Sequence, residues 1–379
     1  MLRADPDTDT VRALTELGAL EAIAGSPDAD RITAEVLILG QDLDVGPGQL
    51  GELLLIRGIY LTSVERRPEA VAYFRESARV AERADAIYTL GRALLNLSDV
   101  LSATDPAAAA EAARTAIGHL SRIGNRKALS VAIMNLAESL LQLGDWDTAE
   151  AELVQVVESD APVEAELPTS AQGWLTALRG DAGSAETMLA ALPDMRASED
   201  PQDKTLVGLA EALTAAARGQ WADALHQAQA VLTHAGALGI SAAPLRWAWP
   251  LAARSAHELR DTAAVRDLLA LLDGYRPGHL APMLRAERDL ARARLSERDG
   301  GQPAAAAFAA AIAGLREKST PYHLAHGLLD HAEYLNRHGD PDAAALAVDE
   351  ARDIGRRLRC QPLLDRADAI EGVTPKVQA

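Results

Sequence analysis

Aromatic residues supply only 3% of this 379-residue chain, although 48% of it is apolar. Alanine and leucine must therefore do most of the packing. That suits close-packed helices and argues against a β-sandwich, which draws on β-branched and aromatic side chains. Cysteine is scarcer still. Cys360 stands alone, so no intramolecular disulfide framework exists and a reducing cytoplasm is the expected setting. Basic residues are outnumbered, 37 Lys and Arg against 55 Asp and Glu, for a formal net charge of −18. No Lys/Arg cluster of the kind that grips phosphate backbones occurs, so direct nucleic-acid binding is not expected. The acidic field modestly favours a basic partner. Long apolar runs are missing too. The longest, Pro303 to Leu315, has 13 residues and is too short to span a bilayer. The N-terminus "MLRADPDTDTVRAL" carries acids where a signal peptide has a basic region. The expectation is a cytoplasmic protein with no membrane partner.

What the chain does have is one turn, many times over. "LGDWDTAEAEL" begins at Leu143, "RGQWADALHQA" at Arg218 and "HGDPDAAALAV" at His338. Aligning on the small residue after each turn gives Asp30, Ala70, Ala109, Ala149, Ala185, Ala224, Val265, Ala306 and Ala344, spaced 36–41 residues apart. Such a period signals stacked repeats. Each unit reads as two helices. Ile133, Leu136, Ala137 and Leu140 recur at helical spacing, Gly144 ends that helix, and Asp145 or Asp147 can cap the next. Ala149 then opens a second apolar stripe continued by Leu153 and Val156.

This pattern resembles the tetratricopeptide repeat (TPR), whose first helix carries W-x2-L-G-x2-Y and whose second begins near an alanine. Leu14, Leu17 and Gly18 fit the first-helix core, as do Leu54, Gly58 and Leu61. Trp249, Ala253 and Ala256 fit again, then Leu328, Ala332 and Leu335, and Phe74 fits the aromatic place of the second helix. The period exceeds the usual 34 residues. HEAT and armadillo repeats share the longer period, but the glycine–x–aromatic turn favours the TPR reading. The longer units are similar to the C-terminal helical regions of large bacterial, especially actinobacterial, signalling regulators. There such repeats are joined to ATPase, cyclase or helix-turn-helix modules, none of which is in this chain. The resemblance implies an all-α, right-handed α-solenoid of about nine antiparallel helix hairpins, some 18 helices. It would form a single domain over 1–379, with repeats from about 10 to 370 and a short tail at 371–379.

Pro, Gly and acidic residues mark Glu158–Pro168, Leu192–Lys204 and Asp273–Pro282 as loops, and a bend near 160–205 is expected. Pro250 lies inside an apparent helix from Pro244 to Leu259, which should kink or break there. "GPGQLG" at Gly46–Gly51 follows no strand and precedes no lysine, so it reads as an inter-helix loop and not as a phosphate cradle.

No P-loop, H-E-x-x-H or G-x-S-x-G occurs, and the expectation is a protein that is not an enzyme, with no cofactor and no catalytic residues. His323, His326, His331 and His338 crowd together, but only the first two have ligand spacing, so no metal site is expected. His331 should pack between Leu328 and Leu335.

In TPR arrays the first helices line the concave surface. That geometry puts Trp247, Arg254 and His257 on one face, and His326, Leu329, Glu333 and Asn336 on another, with Trp174 in the similar place of the middle unit. Trp and Arg often carry binding energy, so Trp174, Trp247, Arg254, His257, His326 and Glu333 are the candidate binding residues. The competing reading is that the tryptophans cap packing between repeats. The N-terminal groove is aliphatic, lined by Leu55, Ile59, Leu94 and Met134. Chaperone-binding members of the family grip a C-terminal carboxylate with Lys and Asn on adjacent first helices, and no such pairing occurs here. The resulting expectation is a scaffold for a protein or peptide, the sensing part of a signalling or transcriptional regulator. The alternative is a small-ligand sensor whose curvature changes on binding.

Overall fold

The computed structural model describes residues 6–23, 26–157, 165–276, 278–298 and 304–373. Among them the protein is all-α, with 21 helices. The chain divides into two compact units, 1–139 and 140–379.

The first unit contains α1 (Thr8–Ile23), α2 (Ala29–Asp42), α3 (Pro47–Ser63), α4 (Arg67–Arg83), α5 (Ile87–Ser102), α6 (Pro106–Arg122) and most of α7 (Arg126–Leu143). α1/α2, α3/α4 and α5/α6 pack as hairpins. Between α3 and α4 the contact is set by Gly58, because a Cβ there would lie 2.4 Å from the Phe74 ring. Phe74 is fully buried over that glycine. Gly46–Gly51, expected as a loop, is instead the start of α3. Pro47 sits in its first turn, where the ring presets φ and no N–H is lost to the helix. The same device starts α6, α12, α19 and α20.

The second unit runs through α8 (Trp146–Val157), α9 (Glu166–Arg179), α10 (Ala182–Ala190), α11 (Pro193–Ala197), α12 (Pro201–Ala217), α13 (Trp221–Leu232), α14 (Ala235–Leu238) and α15 (Ala243–Glu258). It continues with α16 (Thr262–Asp273), α17 (Pro282–Arg298), α18 (Ala304–Lys318), α19 (Pro321–Arg337), α20 (Pro341–Leu358) and α21 (Gln361–Val373). Hairpins α9/α10, α12/α13, α15/α16, α17/α18 and α19/α20 follow one another. The helices beyond the expected 18 are the short α11 and α14, lying in connections, and the terminal α21. Asp105, Asp181, Asp261 and Asp340 cap helices by accepting from the backbone N–H three residues on.

Seven of the nine aligned small positions hold: Ala70, Ala109, Ala149, Ala185, Ala224, Val265 and Ala344 are all buried. Two are shifted. Asp30 is exposed while its neighbour Ala29 is buried, and Ala306 is exposed while Ala304 is buried four residues before Phe308. Ala304 and Phe308 thus repeat the spacing of Ala70 and Phe74. The alanine run of α18 hid the register, because every position in it is small. Leu17 is likewise 41% exposed, and Val11, Thr15 and Ala22 carry the buried stripe of α1. Of the kink or break expected at Pro250, the break does not occur, since α15 is one continuous helix through it. The loop expected at 158–168 lies mostly outside the described residues, and Glu166–Pro168 already belongs to α9. The Val156 side chain also lies outside them.

Unit 2 returns to its own beginning. α21 packs on α9, and the Cys360 thiol donates to the Leu178 carbonyl at 3.1 Å across 182 positions of sequence. Two turn glycines with left-handed backbone form the seam. A Cβ on Gly144 (φ 81°) would come within 2.9 Å of Pro321, and one on Gly180 (φ 100°) within 2.8 Å of Pro362. Asp147 ties the same edge together by accepting from Arg179 at 2.6 Å and pairing with Arg359 at 2.9 Å.

Gly58→Ala should destabilise the protein by roughly 1–3 kcal/mol through overpacking against Phe74, and Phe74→Leu in the same chain should recover part of the loss. Denaturant midpoints of the two variants check this. A neutral Gly58→Ala would show that the α3/α4 contact is looser than described.

Candidate functional site

The inward faces of α15, α17 and α19 in unit 2 bring polar and aromatic residues together around Tyr322. It is 6% exposed and sits 5.7 Å from Trp146, 6.1 Å from Trp247 and 4.6 Å from His326, ring centre to ring centre. Trp247 also packs on His323 at 4.9 Å. The Arg254 guanidinium lies over the Tyr322 ring and donates to its hydroxyl at 3.0 Å. Trp247 and Arg254 share a face because seven residues make two helical turns.

Beside this cluster is a row of charges. Asp330, 4% exposed, pairs with Arg294 and accepts from Arg366 at 2.6 Å, and Arg366 also reaches Glu333 at 2.7 Å. Glu287 is 7% exposed, and burial pushes its carboxyl up to about 7. Burial also holds the histidines neutral. His323 is lowered to about 3 by burial and then by Arg254. His257 is lowered to about 2 by burial and then by Arg294 and Arg298, and His326 falls well below its usual value for like reasons.

The six candidate residues all fall in unit 2. Trp174 and Trp247 are 3% and 2% exposed, and Arg254 is 8%. Trp174 donates its indole N–H to the Leu206 carbonyl at 3.0 Å, which is a packing contact between α9 and α12. His257, His326 and Glu333 are only partly buried. Trp247 and Arg254, expected on the concave face, are buried in the packed interior, with Tyr322 against both and His323 against Trp247. His331 stacks on Phe308 at 5.6 Å. Composition and motif reading missed Tyr322, Glu287, Arg294, Asp330 and Arg366. The available signal was a charge on an apolar stripe, as with Arg294 after Leu290 and Ala291. Among the described residues no group of His, Cys, Asp and Glu is arranged to hold a metal ion, and no helix is long and apolar enough to cross a membrane.

A groove of about 550 Å³ lies between α18, α19 and α20, lined by Leu315, Leu324 and Ile354. On its rim Arg316 pairs with Glu350, Asp349 with Arg352 and Asp353 with Arg356.

No protein-family model matches the chain, and no curated protein matches it. Solved structures do. A Rap protein complexed with Competence and Sporulation Factor superposes with a TM-score of 0.50 at 13% identity, covering 95% of this chain and 100% of that one. A monomeric IFIT1 mutant with m7Gppp-AAAA gives 0.51 at 13% identity, covering 97% of this chain and 82% of that one. The fold is TPR-like. In TPR-like terms, Trp247, Arg254, Glu287, Tyr322 and His326 all stand on first helices of successive hairpins.

The buried histidines make stability depend on pH. Below pH 6.5 an unfolded chain protonates them, while the folded chain keeps His323 neutral down to about 3 and His257 to about 2. The unfolded state then binds more protons, and stability falls as the pH drops through that window. Glu287 acts the other way. Its value is raised from 4.5 to about 7, so its contribution is present below 4.5 and is lost as the pH rises to 7. His257, His323 and His326 outweigh one carboxyl. Unit 2 should therefore lose stability from pH 6.5 to 5, by roughly 1.4 kcal/mol per pH unit for each net proton. Thermal unfolding across that range, with His326→Gln flattening the slope, checks it. Stability that rose on acidification would contradict the placement of these rings.

Proposed function

We propose that the protein is a non-catalytic binding scaffold that takes a protein or peptide partner, and that it serves as the sensing part of a bacterial signalling or transcriptional regulator. The supporting observation is the gathering of aromatic, arginine and histidine side chains on the first helices of a TPR-like fold. Such residue types commonly anchor partners. The Rap structure holds a factor named for competence and sporulation, which accords with a peptide or protein ligand. The IFIT1 structure holds a capped oligonucleotide, so the fold admits nucleic acid, and the charge of −18 is what weighs against it here. The cytoplasm is the proposed location, resting on the single reduced cysteine.

A second reading, a small-ligand sensor, gains from one observation. Arg254 and Trp247 are enclosed by the closed course of unit 2, so that ligands at those residues would be small.

The two readings separate in one experiment. The full chain is melted with the dialysable and with the retained macromolecular fraction of a cell extract, because a ligand of the native state raises its stability. Stabilisation by the retained fraction is the expected result, reduced at least about tenfold in apparent affinity by His257→Ala with Glu333→Ala. Stabilisation only by the dialysable fraction favours the sensor, and none by either contradicts both.

A further inference from the structure

The buried indoles of unit 2 set a standard that one of them fails. Trp146, Trp174 and Trp249 donate their N–H groups to the carbonyls of Leu141, Leu206 and Leu268 at 3.0, 3.0 and 2.9 Å. Trp247 is as deeply buried, at 2% exposure, and its Nε1 has no partner. The histidines show the same contrast. His323 and His338 engage Thr320 and the Tyr334 carbonyl through Nδ1, whereas both ring nitrogens of His326 are buried and unpartnered. Arg254 completes the set. It is 8% exposed, its Nε is unpartnered, and among the described residues no carboxylate lies within ion-pair distance of it. Its contacts are the face and hydroxyl of Tyr322, neither of which carries charge. Buried polar groups are paired in folded proteins, and a buried cation with no carboxylate in direct contact is a costly exception; the Glu287 carboxyl senses Arg254 only from beyond ion-pair distance.

These three residues converge on one ring, Tyr322, and most of what they leave unsatisfied is donor capacity. Glu287 supplies the opposite need, since its Oε1 is buried without a donor. A ligand that answers all four presents an anionic acceptor to Arg254 and offers an N–H or O–H to Glu287. His257, His326 and Glu333 are the partly exposed members of the candidate set.

We propose that Arg254, Trp247 and His326 form a binding site around Tyr322 for a carboxylate that carries an adjacent N–H or O–H, with Glu287 accepting from that group. The proposal rests on the small-ligand reading, and a macromolecular partner held elsewhere on the first helices would be unaffected by its failure. A planar guanidinium matches a carboxylate in shape as well as charge. Trp247 and Arg254, at 2% and 8% exposure, are shielded from water, which strengthens each contact.

The test uses the full chain labelled with ¹⁵N, and reads the indole N–H signals during titration with N-acetylglycine, with its amide N-acetylglycinamide, and with acetyl-tetraglycine bearing a free carboxylate. The Trp247 signal is assigned by its loss in Trp247→Phe. N-acetylglycine should shift it while the signals of Trp146, Trp174 and Trp249 stay in place, and the amide should bind at least about tenfold more weakly. Tighter binding of acetyl-tetraglycine would assign the carboxylate to a chain terminus, and tighter binding of N-acetylglycine to a free small molecule. Arg254→Gln should cost at least about tenfold in affinity. Should that variant disturb the three reference indoles, calorimetry on Trp247→Phe replaces it and should show severalfold weaker binding. An unmoved Trp247 signal, or equal binding of acid and amide, overturns the proposal.

Discussion

Pro321 and Pro362 rest directly against the backbone of two turn glycines, Gly144 and Gly180, and unit 2 depends on that contact. Each glycine is required twice, once by its left-handed φ and once by the proline that would collide with any side chain. The contact lets α19 and α21 lie on the segment where the unit began. Trp146 can then reach Tyr322, and the Cys360 thiol can reach the Leu178 carbonyl. Without it, the inward faces of α15, α17 and α19 would form the open groove that a TPR-like fold suggests. With it, they enclose Arg254, Trp247 and Tyr322.

Enclosure has an electrostatic consequence. Charges that would be solvated along an open groove must find partners inside, and most do. Asp330 serves both Arg294 and Arg366, and Glu333 shares Arg366. Arg254 and Glu287 form no ion pair within that network, although Glu287 feels the charges of Arg294 and Arg254. Burial of ionisable groups without a close partner is unfavourable to folding.

Much of the architecture was legible in the chain. The recurring turn, the small residue after it and the absence of aromatic bulk led to paired helices at the observed spacing. Ala70, Ala149 and Ala224 are buried as that pattern demands. Register was lost where the local alphabet carries no contrast, as in the alanines of α18, or where the expected small residue was an exposed Asp30. The site was harder to read. Helical spacing puts Arg254 and His257 on one face of α15 and His326 with Glu333 on one face of α19. Their enclosure was not legible, because it follows from contacts between Gly144 and Pro321 or Cys360 and Leu178, and no periodicity encodes such long-range pairs. Tyr322 was missed for a related reason. It precedes the apolar stripe of α19 and gains significance only from Trp146 and Trp247, which arrive from elsewhere in the chain.

Cys360 offers the most direct measurement of whether unit 2 closes as described. It is the single cysteine of the chain, fully buried at the seam, and burial pushes its thiol up to about 12. A thiol so placed holds almost no thiolate at neutral pH and is shielded from reagent. The native protein should therefore react with a thiol-specific reagent only slowly, at a rate limited by opening of the seam, and rapidly once denatured. Immediate stoichiometric labelling of the native protein at neutral pH would show that α21 does not rest on α9, and the enclosed site would go with it.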